Sequence, residues 1–410
     1  MTDTATTLLK QSALVGRQAI FDRDMEVFGY ELLYRDGTGN AANIMDGDEA
    51  TARVMVNTFL ELGIDQIAGN NYAFLNLTAN FFLSQHYEVL PAKNVILEVL
   101  ESIEPTPTVL QALIQARQNG YLIALDDFVL RESHRGLMEH ADIVKVDVLA
   151  LTKEELKEQV AMFQEYPVRL LAEKVEDQGM YEQCLALGFE YFQGYFFCKP
   201  QILEGVSLSG NRMAVVLLLA KLQDPSIDLH ELEDLVKNDV ALSVKLLRFV
   251  NSASVGLPRS VDSISQAIGL VGTERMRQWA TLLALAHTGD KPSELMRVAL
   301  IRAHMCEALC PFYGLPPGPG FTTGLFSILD AYFDCEMRQL LADLPLAQEI
   351  LDALLKNEGV LGTILEEILA YERGEWGKQS NQTVEHGSVN AVYWESVEWA
   401  NGVMESIIRK

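Results

Sequence analysis

Leu122–Phe128, LIALDDF, is an apolar run closed by two adjacent aspartates, Asp126 and Asp127, with no basic residue beside them. A run of this kind predicts a buried strand. Two carboxylates at its end repel each other, and burying them is costly unless positive charge is close. Protonation of one carboxyl, a basic side chain from elsewhere in the chain or a metal ion would each resolve the conflict. So would a strand that simply ends in a solvated turn at Asp126.

Short β-type runs alternate with longer amphipathic stretches throughout the first half of the chain. The predicted strands are Leu14–Asp22, Tyr30–Arg35, Tyr72–Thr78, Val95–Leu100, Leu122–Phe128, Ile143–Val148, Leu170–Val175 and Phe192–Phe197. Helical patterns lie between them, for example at Ala50–Leu62, Pro107–Asn119 and Lys153–Tyr166. This alternation predicts an α/β TIM-like barrel of eight strands. Because only a short loop joins the first two runs, one strand is predicted to be antiparallel.

Polar residues interrupt or close the predicted strands. They are Glu31, Asn76, Glu98, Asp126, Asp127, Lys145, Glu173 and Gln193. In a barrel the carboxyl ends of the strands meet on one face, where active sites lie. Five carboxylates and one lysine cannot all stay charged there without cations, and oxygen ligands favour Mg²⁺, Mn²⁺ or Ca²⁺ over zinc. The set therefore predicts a site for one or two divalent metal ions.

Single members of this set also have structural explanations. Asn76 would cap a turn, Lys145 would pair with Asp147 at the surface, and Gln193 would bond to the backbone. The functional interpretation rests on the recurrence of polar residues at successive strand ends.

Composition limits the classes of protein. The chain has 410 residues, 49% of them hydrophobic, which is enough for two or more domains with full cores. A formal net charge of −25 argues against non-specific binding to nucleic acid or to an anionic membrane. No apolar run approaches the length that spans a bilayer, and the N-terminus lacks a signal-peptide pattern, so a cytoplasmic location is predicted. The five cysteines follow no zinc-finger spacing and are predicted to be reduced.

Helical patterns replace the strand rhythm from about Ser207. Asp228 and Glu231 have the spacing of a capping box that opens a helix. The segment Leu315–Gly320, LPPGPG, predicts a rigid loop within the same domain. We therefore predict two domains, residues 1–205 and residues 206–410, of which the second is all-helical.

The first domain resembles the EAL domain, the family of cyclic-di-GMP phosphodiesterases, over about residues 12–203. The matching motifs are E-x-L-x-R at Glu31–Arg35, N-x-S as Asn76-Leu77-Thr78, L-E-x-x-E-S at Leu97–Ser102, D-D-F at Asp126–Phe128, K-x-D at Lys145–Asp147, E-x-V-E at Glu173–Glu176 and Q-G-Y-x-F-x-x-P at Gln193–Pro200. The resemblance implies a TIM-like barrel with an antiparallel first strand pair. It also implies hydrolysis of cyclic di-GMP to pGpG.

The resemblance also implies roles for individual residues. The first metal would be held by Glu31, Asn76, Glu98 and Asp126, and the second by Asp126, Asp127 and Glu173. Catalytic roles fall to Lys145, Glu31 and Glu173, with Lys145 orienting or deprotonating the attacking water. Nucleotide contacts fall to Gln18, Arg35 and Gln193, and Glu176 would support the site. The expected cofactor is Mg²⁺ or Mn²⁺ at a two-metal site, with Ca²⁺ inhibitory.

Four departures from the EAL pattern affect the support of these ligands. The start reads Gln18-Ala19-Ile20, where Q-P-I is common. The Gly-rich loop that usually follows the double aspartate is replaced by Val129–Glu132. Lys174 stands at the glycine of E-G-V-E, and Leu32 stands at the alanine of E-A-L. Metal ligands are therefore retained while their surroundings differ.

Two segments, Leu232–Ser252 (LEDLVKNDVALSVKLLRFVNS) and Ile264–Trp279 (ISQAIGLVGTERMRQW), resemble the HDOD domain, an all-helical relative of HD phosphohydrolases. The resemblance covers about residues 211–399. An active HD enzyme has a His-Asp pair in a G-L-L-H-D-I-G helix, whereas Gly324–Asp330 carries Ser327 and Ile328 at those positions. His304 alone cannot hold a catalytic metal, so it is predicted to be a packed or surface residue. The domain is therefore predicted to be a non-catalytic module that binds an unknown protein partner, with a homodimer also possible.

Three hypotheses follow for the whole chain: a cyclic-di-GMP phosphodiesterase, a receptor that binds cyclic di-GMP without turnover, and a scaffold that binds only proteins. A barrel glycosidase with two carboxylates would use Glu31 and Glu98, but it leaves the adjacent aspartates and Lys145 without a role.

Overall fold

The computed structural model describes residues 13–36, 63–77, 79–101, 103–130, 134–199, 210–224, 226–237, 240–252, 255–257, 260–286, 291–342, 344–375 and 386–408. The chain divides into two compact units. The first unit runs to Phe197 and includes Tyr371–Lys378 and His386–Asn390, and the second begins at Cys198 and takes the rest. The consecutive domains 1–205 and 206–410 remain a prediction.

The first unit is built on a closed barrel of eight strands in chain order. The strands are β1 (Ala13–Phe21), β2 (Val27–Asp36), β3 (Tyr72–Leu77), β4 (Val95–Val99), β5 (Leu122–Leu125), β6 (Ile143–Asp147), β7 (Arg169–Glu173) and β8 (Tyr191–Gln193). β1 runs antiparallel to both of its neighbours, β2 and β8, and all other neighbouring strands are parallel. The predicted TIM-like barrel with one antiparallel strand is confirmed.

The interior of the barrel consists of an apolar layer and a polar layer. The apolar layer is a buried cluster of Ile20, Phe74, Ile96, Ala124, Ile143, Leu171 and Tyr191. Because side chains alternate between the two faces of a strand, residues two positions apart share a face. Two positions from each member of the apolar layer stands a polar residue, and together these are Gln18, Asn76, Glu98, Asp126, Lys145, Glu173 and Gln193. The alternation of the strands therefore places these side chains in one polar layer above the apolar one.

Helices follow most of the strands. Those of the first unit are α1 (Ile64–Ala68), α2 (Ala79–Ser84), α3 (Pro107–Gln118), α4 (Arg135–Met138), α5 (Lys153–Phe163) and α6 (Gln178–Leu187). The predicted helices at Pro107 and Lys153 are confirmed, and each begins after a threonine whose side chain accepts a backbone hydrogen bond. The predicted helix Ala50–Leu62 lies outside the described residues.

All regular elements in the described part of the second unit are helical. Its elements include α7 (Gly210–Gln223), α8 (Leu229–Lys237), α9 (Val240–Val250), α10 (Ile264–Val271), α11 (Thr273–Leu285), α12 (Ser293–Leu309), α13 (Pro317–Phe326), α14 (Leu329–Phe333), α15 (Met337–Leu341), α16 (Gln348–Lys356), α17 (Gly359–Glu372) and α18 (His386–Ile408). The last two also contribute residues to the first unit. Among the described residues, none of these helices combines the length and apolar character needed to span a membrane.

Two predictions about local structure in the second unit had different outcomes. The capping box at the start of α8 is confirmed, since Glu231 N donates to Asp228 Oδ1 at 2.8 Å and Asp228 N donates to Glu231 Oε2 at 3.1 Å. The loop predicted for Leu315–Gly320 is wrong for its last four residues, because α13 begins at Pro317. Proline is tolerated in the first turn of a helix, where its missing N–H has no intrahelical partner.

Candidate active site

Lys145 lies at the centre of the polar layer, with its side chain fully buried. Carboxylates contributed by four different strands or strand ends surround its ammonium group. The distances from Nζ are 2.7 Å to Asp126 Oδ1, 2.9 Å to Glu173 Oε1, 3.0 Å to Glu98 Oε1 and 3.3 Å to Glu31 Oε2. Four carboxylates around one ammonium leave an excess of negative charge. Lys145 is therefore an interior residue, and the alternative in which it pairs with Asp147 at the surface is wrong.

Amide side chains hold Glu31 from two sides. Asn76 Nδ2 donates to Glu31 Oε1 at 2.8 Å, and Gln193 Nε2 donates to Glu31 Oε2 at 2.6 Å. Gln193 Nε2 also lies 3.0 Å from Oε1 of Gln18, which faces Glu31 across the β1–β2 pair. The register of β3 and β4 sets Asn76 opposite Glu98. Strand pairing thus brings five of the predicted site residues, Gln18 included, into direct contact or adjacent positions.

Burial and crowding of like charges shift the pKa values of the carboxylates. Burial, with the charges of neighbouring carboxylates, raises the pKa of Glu98 well above its ordinary value and that of Glu173 to about 8. The pKa of Asp126 is raised for the same reasons. Burial alone would also raise the pKa of Glu31, but Lys145 and the two amide donors outweigh it and lower that pKa. Without an added cation, the layer must therefore carry protons near neutral pH.

Lys145 behaves in the opposite way to a buried lysine that serves as a base. Burial alone would lower its pKa, but the surrounding carboxylates raise it well above the ordinary value. The ammonium therefore stays charged and acts as a hydrogen-bond donor and a fixed positive charge.

The donor set suits a divalent cation. Several buried oxygens of the layer accept no hydrogen bond: Oε2 of Glu98, Oε2 of Glu173, Oδ1 of Asn76 and Oε1 of Gln193. Glu98 Oε1 accepts none either, but it lies 3.0 Å from Lys145 Nζ. Buried oxygens without a partner are costly, and carboxylate and amide oxygens are the ligands of Mg²⁺ and Mn²⁺. Among the described residues, however, no group of three or more His, Cys, Asp or Glu side chains is arranged to hold a metal ion as it stands. Four of the carboxylates each direct an oxygen at Lys145 instead.

Two predicted site residues, Asp127 and Glu176, stand apart from the buried layer. Asp127 follows Asp126 but is exposed, with a left-handed backbone at φ 43°. Glu176 is exposed beyond the end of β7. Arg35 lies on β2, where its backbone pairs with Leu14, and its side chain is outside the described set.

Lys174 is a residue of this region to which sequence reasoning assigned no role. Its Nζ donates a hydrogen bond to Asp147 Oδ2 and lies 3.7 Å from Asp127 Oδ2. Partial burial alone would lower its pKa, but the hydrogen bond to Asp147 and the charges of Asp127, Asp147 and Glu173 raise it. Its backbone is left-handed, at φ 58°. The available signal was its place at a glycine of the EAL pattern, since glycine is the residue that adopts this conformation most readily.

Family models match both halves of the chain. The EAL domain model matches residues 73–200, and the HDOD domain model matches residues 212–325. The cyclic di-GMP phosphodiesterase CdgJ of Vibrio cholerae is 35% identical over 379 residues, which cover 91% of this chain and 88% of that protein. The chain belongs to the EAL–HDOD family.

Two further proteins are similar to this chain. YuxH of Bacillus subtilis is 31% identical over 407 residues, covering 96% of this chain and 99% of that protein. Among solved structures, the manganese and cyclic-di-GMP complex of BlrP1 from Klebsiella pneumoniae is 22% identical, with a TM-score of 0.38, and the match covers 45% of this chain and 55% of that one.

In the HDOD unit of this EAL–HDOD protein, His304 and Ser327 both form hydrogen bonds with neighbouring groups of the same unit. His304 stacks on Trp399 with ring centroids 4.9 Å apart, and its Nδ1 lies 2.9 Å from Ser396 Oγ. The prediction that His304 is a packed or surface residue is confirmed. The predicted single helix across Gly324–Asp330 is wrong, because α13 ends at Phe326 and α14 begins at Leu329. Ser327 Oγ donates to Gly324 O at 2.8 Å in the intervening turn.

Proposed function

We propose that the barrel is a metal-dependent phosphodiesterase that hydrolyses cyclic di-GMP to pGpG. The observation that carries this proposal is the polar layer around Lys145, where buried carboxylates exceed the positive charge and several oxygens lack partners. Such a layer is costly to fold, and perturbed carboxylates in a barrel at the strand ends are typical of a catalytic site. The name of the relative CdgJ, a cyclic di-GMP phosphodiesterase, supports the same substrate.

The reaction adds one water across a phosphodiester bond. The water oxygen forms a bond to phosphorus, the bond from phosphorus to the 3′ oxygen breaks, and the 3′ oxygen leaves with a proton. Lys145 orients the water through Nζ, because its raised pKa disfavours a role as a base. Burial raises the pKa of Glu173 to about 8 in the metal-free site, so Glu173 carries a proton at neutral pH; it would accept the proton of the water only in its ionised form, which the positive charge of a bound cation would favour.

A divalent cation, Mg²⁺ or Mn²⁺, would be held by oxygens of Glu31, Asn76, Glu98 and Asp126, with Glu173 close by. When bound, it supplies Lewis acidity and positive charge at the phosphoryl group. The same positive charge offsets the repulsion between an anionic dinucleotide and a protein with a net charge of −25. Asp127 is the residue on which a second cation, as in a two-metal mechanism, would depend.

The remaining predicted residues would position the site and the nucleotide. Gln193 fixes Glu31 and Gln18 through one amide nitrogen, so these two glutamines would orient a ligand at the rim of the layer. Arg35 would contact the nucleotide and Glu176 would support the end of β7. These roles rest on the EAL resemblance.

The HDOD unit is proposed to be a regulatory, partner-binding module without catalysis. In its described residues His304 is held by Ser396 and Trp399, and Ser327 stands where a metal-binding histidine would be needed. We propose that this unit binds a protein partner and that the protein forms a homodimer.

The test uses the full-length protein, cyclic di-GMP and each of Mg²⁺, Mn²⁺ and Ca²⁺, with product followed by chromatography. We expect pGpG with Mg²⁺ or Mn²⁺ and inhibition by Ca²⁺. Glu98→Gln keeps the shape of a fully buried side chain and removes its charge, so turnover should fall about 100- to 1000-fold. Glu104→Gln, at an exposed glutamate of the same unit, is the matched control and should retain full turnover.

Each alternative hypothesis has its own outcome. Turnover that survives Glu98→Gln contradicts the assigned ligands. Cyclic-di-GMP binding without pGpG in any metal contradicts the enzyme and favours the receptor. Absence of both binding and turnover favours the scaffold.

A further inference from the structure

Lys174 occupies the turn directly after β7 in a conformation that lysine rarely adopts. Its φ is 58°, in the left-handed region. Asp127, which follows Asp126 of the polar layer, is also left-handed, with φ 43°. Side chains with a Cβ are disfavoured in this region, and such residues persist where the surrounding structure holds them. A lysine at this position therefore requires contacts that offset the conformational cost.

Those contacts are two carboxylates at the rim of the layer. Lys174 Nζ donates to Asp147 Oδ2 and faces Asp127 Oδ2 at 3.7 Å. Asp147 is itself fixed, because its Oδ1 accepts from the backbone N–H groups of Leu149 and Ala150 at 2.9 and 3.1 Å. The ammonium group is thus anchored on one side by a rigid carboxylate and presented on the other to Asp127.

We propose that the ammonium of Lys174 takes the place of a second divalent cation at Asp127, so that each barrel of this protein binds one divalent ion. This inference rests on the proposed function, since it concerns the same site. A metal ion at Asp127 would meet the positive charge of Lys174 at short range, and repulsion between the two disfavours that ion. Asp127 would then position Lys174, and would not be a metal ligand.

A purely local ion pair is the competing explanation. The side chains of Lys174 and Asp127 are 52% and 41% exposed, and ion pairs in solvent contribute little to stability. That explanation predicts no effect of Lys174 on metal stoichiometry, because a flexible surface lysine swings away from an incoming ion. The number of ions bound therefore separates the two explanations.

The experiment is a Mn²⁺ titration of the full-length protein without nucleotide, followed by electron paramagnetic resonance and calorimetry. We expect one Mn²⁺ per chain for the wild type and two for Lys174→Gly and Lys174→Gln. Lys174→Gly relaxes the backbone, since glycine adopts positive φ without strain, so loss of folding is not expected. Lys174→Gln removes the charge and keeps the Cβ, which isolates the electrostatic effect.

Gln85→Gly is the matched control, because Gln85 is another left-handed residue of the first unit, at φ 57°. It should retain one Mn²⁺ per chain. Two ions in the wild type, no ion in the wild type, or one ion in both Lys174 variants would each overturn the inference. Turnover of cyclic di-GMP by the wild-type protein is measured separately. If the wild type binds two ions and turns over substrate, the proposed function holds and the inference about Lys174 fails. If it binds one ion without turnover, the inference about Lys174 holds and the proposed function fails.

Discussion

The barrel and the helical unit both enclose polar side chains, but they satisfy them differently. Around Lys145, several carboxylate and amide oxygens have no hydrogen-bond partner and negative charge is in excess. At His304, the ring nitrogen meets Ser396, and Ser396 Oγ in turn donates to Val392 O at 2.6 Å. Native structures pair their buried polar groups unless another task keeps them open. The difference assigns chemistry to the barrel and a structural role to His304.

The substitution with the largest expected effect is Lys145→Met, which removes the positive charge at the centre of the polar layer. Loss of one partner of a buried ionic network is expected to destabilise the barrel by about 3–5 kcal/mol, because the four carboxylates lose the buried ammonium group that they share. The measurement is native-state hydrogen exchange of the β6 amides. Added Mn²⁺ should recover part of the loss by supplying positive charge.

The matched control for Lys145→Met is Lys356→Met. Lys356 pairs with Asp352 on the exposed face of α16, and its removal should leave exchange and unfolding unchanged. Equal effects of the two substitutions would contradict the expectation that the buried network around Lys145 contributes more to stability than an exposed ion pair.

Close packing of helices is a feature of the second unit that Gly324→Ala tests. A Cβ at Gly324 would lie 2.2 Å from the backbone oxygen of Arg302 on α12. We expect roughly 2–4 kcal/mol of destabilisation, because a backbone neighbour cannot move aside. Urea unfolding followed by tryptophan fluorescence suits this unit, since three of the four tryptophans, Trp279, Trp394 and Trp399, belong to it.

Gly269→Ala provides the comparison within the same unit. Gly269 is exposed on α10 and its added Cβ would meet no atom within 4 Å. The substitution should stabilise the unit by about 0.5–1 kcal/mol, because alanine loses less conformational freedom in a helix. Tolerance of Gly324→Ala at the level of Gly269→Ala would show that α12 and α13 do not constrain each other.

Barrel architecture and the membership of the polar layer were predictable from particular residues. Single polar residues in apolar strands, such as Glu98 in VILEV and Lys145 in IVKVD, indicated which face of each strand points inward. Because side chains alternate between the two faces, the other inward-facing positions followed from these residues. The contacts within the layer were not predictable, since the sequence does not say which carboxylate oxygens face Lys145. That geometry depends on strand register and barrel closure.

Strand and helix ends were the least predictable features. β5 ends at Leu125, before the two aspartates, and Asp127 then takes a positive φ. The predicted strand Phe192–Phe197 instead ends at Gln193, because Gly194 has φ 148° and a Cβ there would lie 2.1 Å from Val175 O. Both ends depend on neighbouring chain segments that a linear pattern does not contain.

The last prediction concerns the protonation of His304 in the helical unit, which acts only below neutral pH. Burial, with a smaller contribution from Arg275, lowers the pKa of His304 to about 4 from an ordinary value of 6.5. Between these values the unfolded chain binds more protons than the folded one, so stability is complete above pH 6.5 and falls as the pH drops towards 4. The expected loss is about 2 kcal/mol between pH 7 and pH 5. His304→Gln should remove this part of the pH dependence in urea unfolding followed by tryptophan fluorescence.

His230→Gln, at an exposed histidine of α8, should reproduce the wild-type curve. An unchanged curve for His304→Gln would mean that this ring is hydrated and charged in the folded protein, which would erase the contrast with the barrel.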